Sequence, residues 1–161
     1  MKAHWTALVI VGFSLAASIP GVTQKTDGTR AAEIAAIQKV RENLDAAYDR
    51  RDAEAFSELF VEDADFQWPS GALLRDREEI RQHFAKSFAT MRADYRHITT
   101  FARIRFLGPD VAIGDGTVVI ARVGATENEK PYMKVLLTCI GKKERGGWRI
   151  AAARLIPIIP E

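Results

Sequence analysis

From residue 31 onward apolar side chains recur every three or four places. Ile34, Ile37, Val40, Leu44, Ala47 and Tyr48 share one side of a helical wheel, while Lys39, Arg41, Glu42, Asp45 and Asp49 take the other. This spacing predicts a helix over about 31–50. Asp52 can cap a second, short helix whose Ala55, Phe56, Leu59 and Phe60 form an apolar face ending near Asp63. Residues 64–68 suit a strand, stopped by the turn signal Pro69-Ser70-Gly71. Asp76-Arg77-Glu78-Glu79 then opens a third helix carrying Ile80, Phe84 and Phe88 at a period of four.

Beyond Met91 the period drops to two. Four long strands are expected over about 95–107, 111–123, 132–143 and 148–156, joined by turns at 108–110, 127–131 and 145–147. Helices followed by hairpin-linked strands describe an α+β domain: three N-terminal helices packed on one face of a strongly curved antiparallel sheet, with a hollow between the layers that suits a small molecule.

The first 30 residues belong to neither pattern. Lys2 precedes the uncharged apolar run of residues 5–17, which is shorter than the roughly 20 residues that span a bilayer. Residues 1–18 read as a signal peptide cleaved after Ser18, and 19–30 as a flexible lead-in. The domain proper is 31–157, exported to the periplasm or beyond and free of the membrane after cleavage. Of 161 residues, 23 are Lys or Arg and 21 are Asp or Glu; loss of Lys2 narrows the excess to one. Such a balance argues against nucleic acid as a partner. Cys139 is the single cysteine, so an internal disulfide is excluded, and its apolar surroundings point to a buried, inert thiol. No histidine spacing suggests a metal, and no Gly-rich loop suggests a nucleotide cofactor.

Four stretches carry a family likeness: Ala47-Tyr48-Asp49-Arg50-Arg51-Asp52-Ala53 continuing to Leu59-Phe60-Val61-Glu62-Asp63-Ala64, then Arg77-Glu78-Glu79-Ile80, Arg105 to Ala112, and Gly147-Trp148-Arg149-Ile150. Over roughly residues 32–155 the chain resembles the nuclear transport factor 2-like superfamily, of the SnoaL and SgcJ/EcaC kind. That likeness implies a cone-shaped fold, a pocket and frequent homodimers through the outer sheet face; the apolar tail 156–160 would add to such a contact or close the pocket. It implies isomerases, dehydratases, cyclases or an oxidoreductase label as possible activities, and no single one. Ketosteroid isomerases of this fold place a carboxylate before the proline after the first strand and a tyrosine on helix one. Here those places hold Trp68 and Leu44. SgcJ/EcaC-like relatives end with a histidine where Arg154 stands.

Strand alternation puts Trp148, Ile150, Ala152 and Arg154 on one face, which would aim Arg154 into the hollow as an anion contact; the competing reading is a bulge that turns it out or an internal acid that pairs it. Asp115 shares the face of Val111 and Ile113 and could be that acid, a ligand contact or a base, unless the Gly114-Asp115-Gly116 run breaks its strand. Tyr48 and Trp68 are aromatic pocket contacts with polar handles, or core. His97 and His83 have no partner visible in sequence; His97 is the better candidate base, and a satisfied core or surface histidine the alternative. The leading expectation is an exported domain binding a partly apolar, anionic molecule through Arg154, Tyr48, Trp68 and Asp115. The rivals are a pocket enzyme (isomerase, dehydratase or hydrolase) using His97 or Asp115, and a structural or interaction module.

Overall fold

The computed structural model describes residues 22–126 and 129–159; the expected signal peptide, 1–18, lies outside them. Helix α1 runs Val22–Asp49, α2 Ala53–Ser57 and α3 Arg77–Thr90; the strands are β1 Phe60–Gln67, β2 Leu73–Leu74, β3 Tyr95–Phe106, β4 Val111–Arg122, β5 Met133–Glu144 and β6 Gly147–Pro157. Helix α1 starts at Val22 instead of near 31, so residues 22–30 continue the helix where a lead-in was expected. Gly28, Thr29 and Arg30 in this stretch are exposed, and exposure does not oppose helical backbone. The extension is held at its inner end, where the Arg30 guanidinium lies 4.1 Å from the Phe106 ring centre and Glu33 accepts from Lys143 Nζ at 2.6 Å and from Trp148 Nε1.

The expectation of three N-terminal helices is corrected to one long helix, one of five residues, and a third that follows the first two strands. Asp52 caps α2 by accepting from Ala55 N at 2.9 Å, and Asp76 caps α3 by accepting from Glu79 N at 2.7 Å. At the end of α1 the backbone closes as a Schellman turn: Asp52 N bonds Ala47 O and Arg51 N bonds Tyr48 O, each at 3.0 Å. The left-handed position falls on Arg51, with φ of 60°, where glycine is usual. Its guanidinium offsets that strain by donating to Tyr48 O, Arg92 O and Tyr95 O at 2.7–2.9 Å, which ties the helix end to the loop between α3 and β3.

The six strands form one curved sheet in the order β2-β1-β6-β5-β4-β3. It is mixed: β1 runs parallel to β6, a correction to the all-antiparallel expectation, because the last strand returns along the first in the same direction. Two bulges bend it. Ala102 is the extra residue of β3 opposite β4, and Ala151 that of β6 opposite β5. At the first, Gly116 passes so close to β3 that an added Cβ would sit 1.8 Å from Thr100 O.

Helices α1, α2 and α3 cover the concave face. The layer between is aromatic: Tyr48, Phe56, Phe60, Phe66, Phe84 and Phe88 are buried, with ring centres 4.1 Å apart for Phe56 and Phe84 and 5.1 Å for Tyr48 and Phe88. Each such pair adds about 0.5–1.5 kcal/mol beyond area burial. Burial pushes the Tyr48 hydroxyl up to about 12.

Two outcomes follow from this packing. Gly116→Ala should cost about 2–3 kcal/mol in urea unfolding, since the obstacle is backbone, while Gly108→Ala, which meets nothing within 4 Å, should be near neutral. Tyr48 keeps its proton longer folded than unfolded. The stability it lends is therefore complete below about pH 10 and is lost as pH climbs toward about 12. The thermal midpoint of the wild type should fall more steeply across that window than that of Tyr48→Phe.

Candidate functional site

The concave side encloses a cavity of about 80 Å³, walled by apolar side chains from α1, α3 and the inner faces of β3 to β6. A funnel of about 400 Å³ shares Tyr48, Trp68, Phe84, Ile120 and Met133 with it and widens toward the α3–β3 loop and the start of β5. Together they reach the size range of small-molecule sites. At the funnel rim the Tyr95 and Tyr132 rings meet edge to face at 5.4 Å, with Tyr132 74% exposed. Arg92, also on the funnel, is held by Asp94 through two bonds of 2.9 Å.

His97 stands in the cavity wall on β3, buried, with its ring centre 4.4 Å from that of Tyr48. β3 is the sheet's edge strand, and helix α1 lies along it. Arg41, Asp45 and Asp49, one helical turn apart, face that edge. Asp49 Oδ1 accepts from His97 N at 2.9 Å, Asp45 accepts from Thr99 N at 3.2 Å, and Arg41 Nη1 donates to Thr99 O at 3.2 Å. Three of the backbone groups that this edge strand leaves open, at His97 and Thr99, are thus taken by helix side chains.

Asp45 also accepts from Arg41 at 3.1 Å and lies 2.7 Å from His97 Nδ1. An ionised carboxylate only accepts, so the network assigns the ring proton to Nδ1. In the neutral ring Nε2 then carries the lone pair, and it has no hydrogen-bond partner among the described residues. An oriented imidazole in an apolar cavity, backed by a carboxylate, can take and return a proton.

Of the residues singled out in sequence, the fold brings Tyr48, Trp68 and His97 to this cavity and leaves Arg154 and Asp115 outside it. Arg154 is the clearest correction. Trp148 and Ile150 do face inward, but the bulge at Ala151 shifts the alternation, so Ala153 and Leu155 take the inner face and Arg154 the outer. There it pairs with Asp65, not Asp115. Asp115 is also on the outer face, in an unbroken strand, accepting from Thr138 Oγ1 at 2.9 Å. Neither can act in the cavity as a base or ligand contact.

His83 packs its ring 5.1 Å from that of Trp68, and burial, then Lys86, holds its pKa below the usual histidine value. Cys139 lines the cavity with its thiol pushed up to about 12 by burial, the inert state expected. The Trp68 indole N–H is out of solvent without an acceptor; an unmet buried donor of this kind costs about 1–3 kcal/mol. No group of three or more His, Cys, Asp or Glu among the described residues could hold a metal ion. The residue that sequence reasoning missed is Asp45. Its signal is the i, i+4, i+8 series Arg41, Asp45, Asp49 on the polar side of α1.

No curated protein matches this chain. Its fold is shared with solved structures: a nuclear transport factor 2-like protein with a cystatin-like fold from Novosphingobium aromaticivorans (19% identity, 89% of this chain and 94% of that one, TM-score 0.75), a protein of unknown function from Mycobacterium tuberculosis (26%, 83% and 76%, 0.72) and a cystatin-like-fold domain of unknown function from Nostoc punctiforme (23%, 80% and 79%, 0.70). The sequence profile of the SnoaL-like domain matches residues 29–154, and the chain belongs to that family.

Proposed function

We propose that this protein is an acid–base catalyst acting on a small, largely apolar molecule held in the cone, with His97 Nε2 as the proton carrier and Asp45 as the group that orients and polarises it. The observation that supports this reading is the 2.7 Å Asp45–His97 contact in the wall of an apolar cavity. A dyad so placed serves proton abstraction from carbon, the step common to isomerisation and dehydration. It displaces the expectation of a binder built on Arg154, whose guanidinium is on the other face of the sheet.

The catalytic test is hydrogen–deuterium exchange of a panel of small ketones in D2O, followed by proton NMR. His97→Asn should slow exchange by about 10²–10⁴. Asp45→Asn should slow it too, since an amide can hold the wrong tautomer. Equal exchange in wild type and His97→Asn would remove the assignment; binding of ketones without any exchange would leave a binding domain.

The reading extends to location and assembly. The apolar run at residues 5–17 supports export, and the mass of the protein recovered from its native host should correspond to a start after Ser18. The outer sheet face supports a homodimer. Ile98, Leu136, Ile140 and Ile156 are exposed there, and across the strands runs the row Arg103, Asp115, Thr138, Arg154, with Asp65 beyond. With a twofold axis along the strands at Thr138, this row meets its own reverse, setting Arg103 against Asp65 and Asp115 against Arg154 of the second copy. The double variant Leu136→Asp, Ile156→Asp should then sediment as a monomer at concentrations where the wild type is a dimer, and a monomeric wild type would exclude the arrangement.

A further inference from the structure

We propose that the molecule in this cavity is uncharged and ring-shaped, and brings one oxygen acceptor that the Trp68 indole N–H and the Tyr48 hydroxyl receive together. The proposal rests on the acid–base reading only in taking this cavity as the site. Charge is the first observation. Three arginines line the cavity or funnel, and a carboxylate already holds each: Arg41 with Asp45, Arg149 with Glu144, and Arg92 with Asp94. Asp45 is itself shared among Arg41, His97 and Thr99. A carboxylate or phosphate entering would give up water and meet no free cation; an ammonium would meet no free acid. The anionic ligand expected from the sequence depended on Arg154 and goes with it.

The second observation is what remains unpartnered. Trp68 Nε1 is one of two buried side-chain polar atoms without a partner among the described residues; the other, Arg51 Nε, belongs to a guanidinium already serving three carbonyls. The Tyr48 hydroxyl has no hydrogen bond among the described residues either, in a residue only 2% exposed. Both side chains line cavity and funnel alike, at the junction of the two. Tyrosine and indole donors together call for an acceptor, and burial keeps the tyrosine protonated and able to donate. Trp68 and Tyr48 each pack against Phe84, at ring-centre distances of 5.8 and 6.3 Å, and this aromatic lining favours a flat, conjugated body.

The test uses three probes of one shape, 2-acetylnaphthalene, 2-ethylnaphthalene and 2-naphthoate, titrated by calorimetry into wild type, Trp68→Phe and Tyr48→Phe. Both variants keep a ring and remove a donor. The affinity ratio of ketone to hydrocarbon should fall roughly five- to tenfold in each variant, the loss of one hydrogen bond, with hydrocarbon affinity nearly kept. Naphthoate should bind more weakly than the ketone in all three proteins. An unchanged ratio in both variants, or naphthoate as the tightest probe, would overturn the proposal. Exchange of the ketone's methyl protons in D2O, read on the same samples, separates the two ideas: a donor-dependent ratio without exchange sinks the catalytic reading and leaves this one standing. Exchange lost in His97→Asn beside a donor-independent ratio does the reverse.

Discussion

The contact between α1 and the edge of β3 holds the architecture and the site in one place. An edge strand presents backbone donors and acceptors to water or to another chain, and here a stripe of helix side chains satisfies those of His97 N and of Thr99. Asp45 and Asp49 take the amides of Thr99 and His97, and Arg41 takes a carbonyl. The same bonds fix the imidazole against the cavity. Edge protection and orientation of His97 are therefore one set of interactions, and altering Asp45 disturbs both.

Curvature is the second constraint. A flat sheet with uninterrupted alternation would direct Arg154 inward beside Trp148 and Ile150. The bulge at Ala151 bends β6 and exchanges its faces within one residue, and the bulge at Ala102 does the same for β3, placing Phe101 and Ile104 inward and Arg103 outward. The hollow exists because of these irregularities, and they also decide which charges it contains.

Most of the layer order was legible in the pattern of apolar residues. The helical period of α1 beyond residue 31 and of α3, the capping aspartates, the four long strands and the turns at 108–110 and 145–147 all appear within a few residues of expectation. Elements defined by neighbours were not legible. The parallel pairing of β1 with β6 joins segments about ninety residues apart and leaves no local mark. A bulge in Ala151-Ala152-Ala153 has no signature, since three alanines fit either face. Residues 22–30 show the limit of composition: a polar stretch rich in turn formers is compatible with helical backbone. Tyr48, Trp68 and His97 could be placed near the hollow by family likeness and period, but the carboxylate behind His97 could not, because partnership between α1 and β3 is a tertiary fact.

Arg51 carries a consequence beyond stability. Its guanidinium joins the end of α1 to Arg92 O and Tyr95 O, and those residues border the funnel. A planar fork that grips carbonyls on two segments fixes their spacing. The funnel border and the end of α1 therefore share one anchor, whose guanidinium also lies 5.6 Å from the Tyr48 ring in the cavity wall.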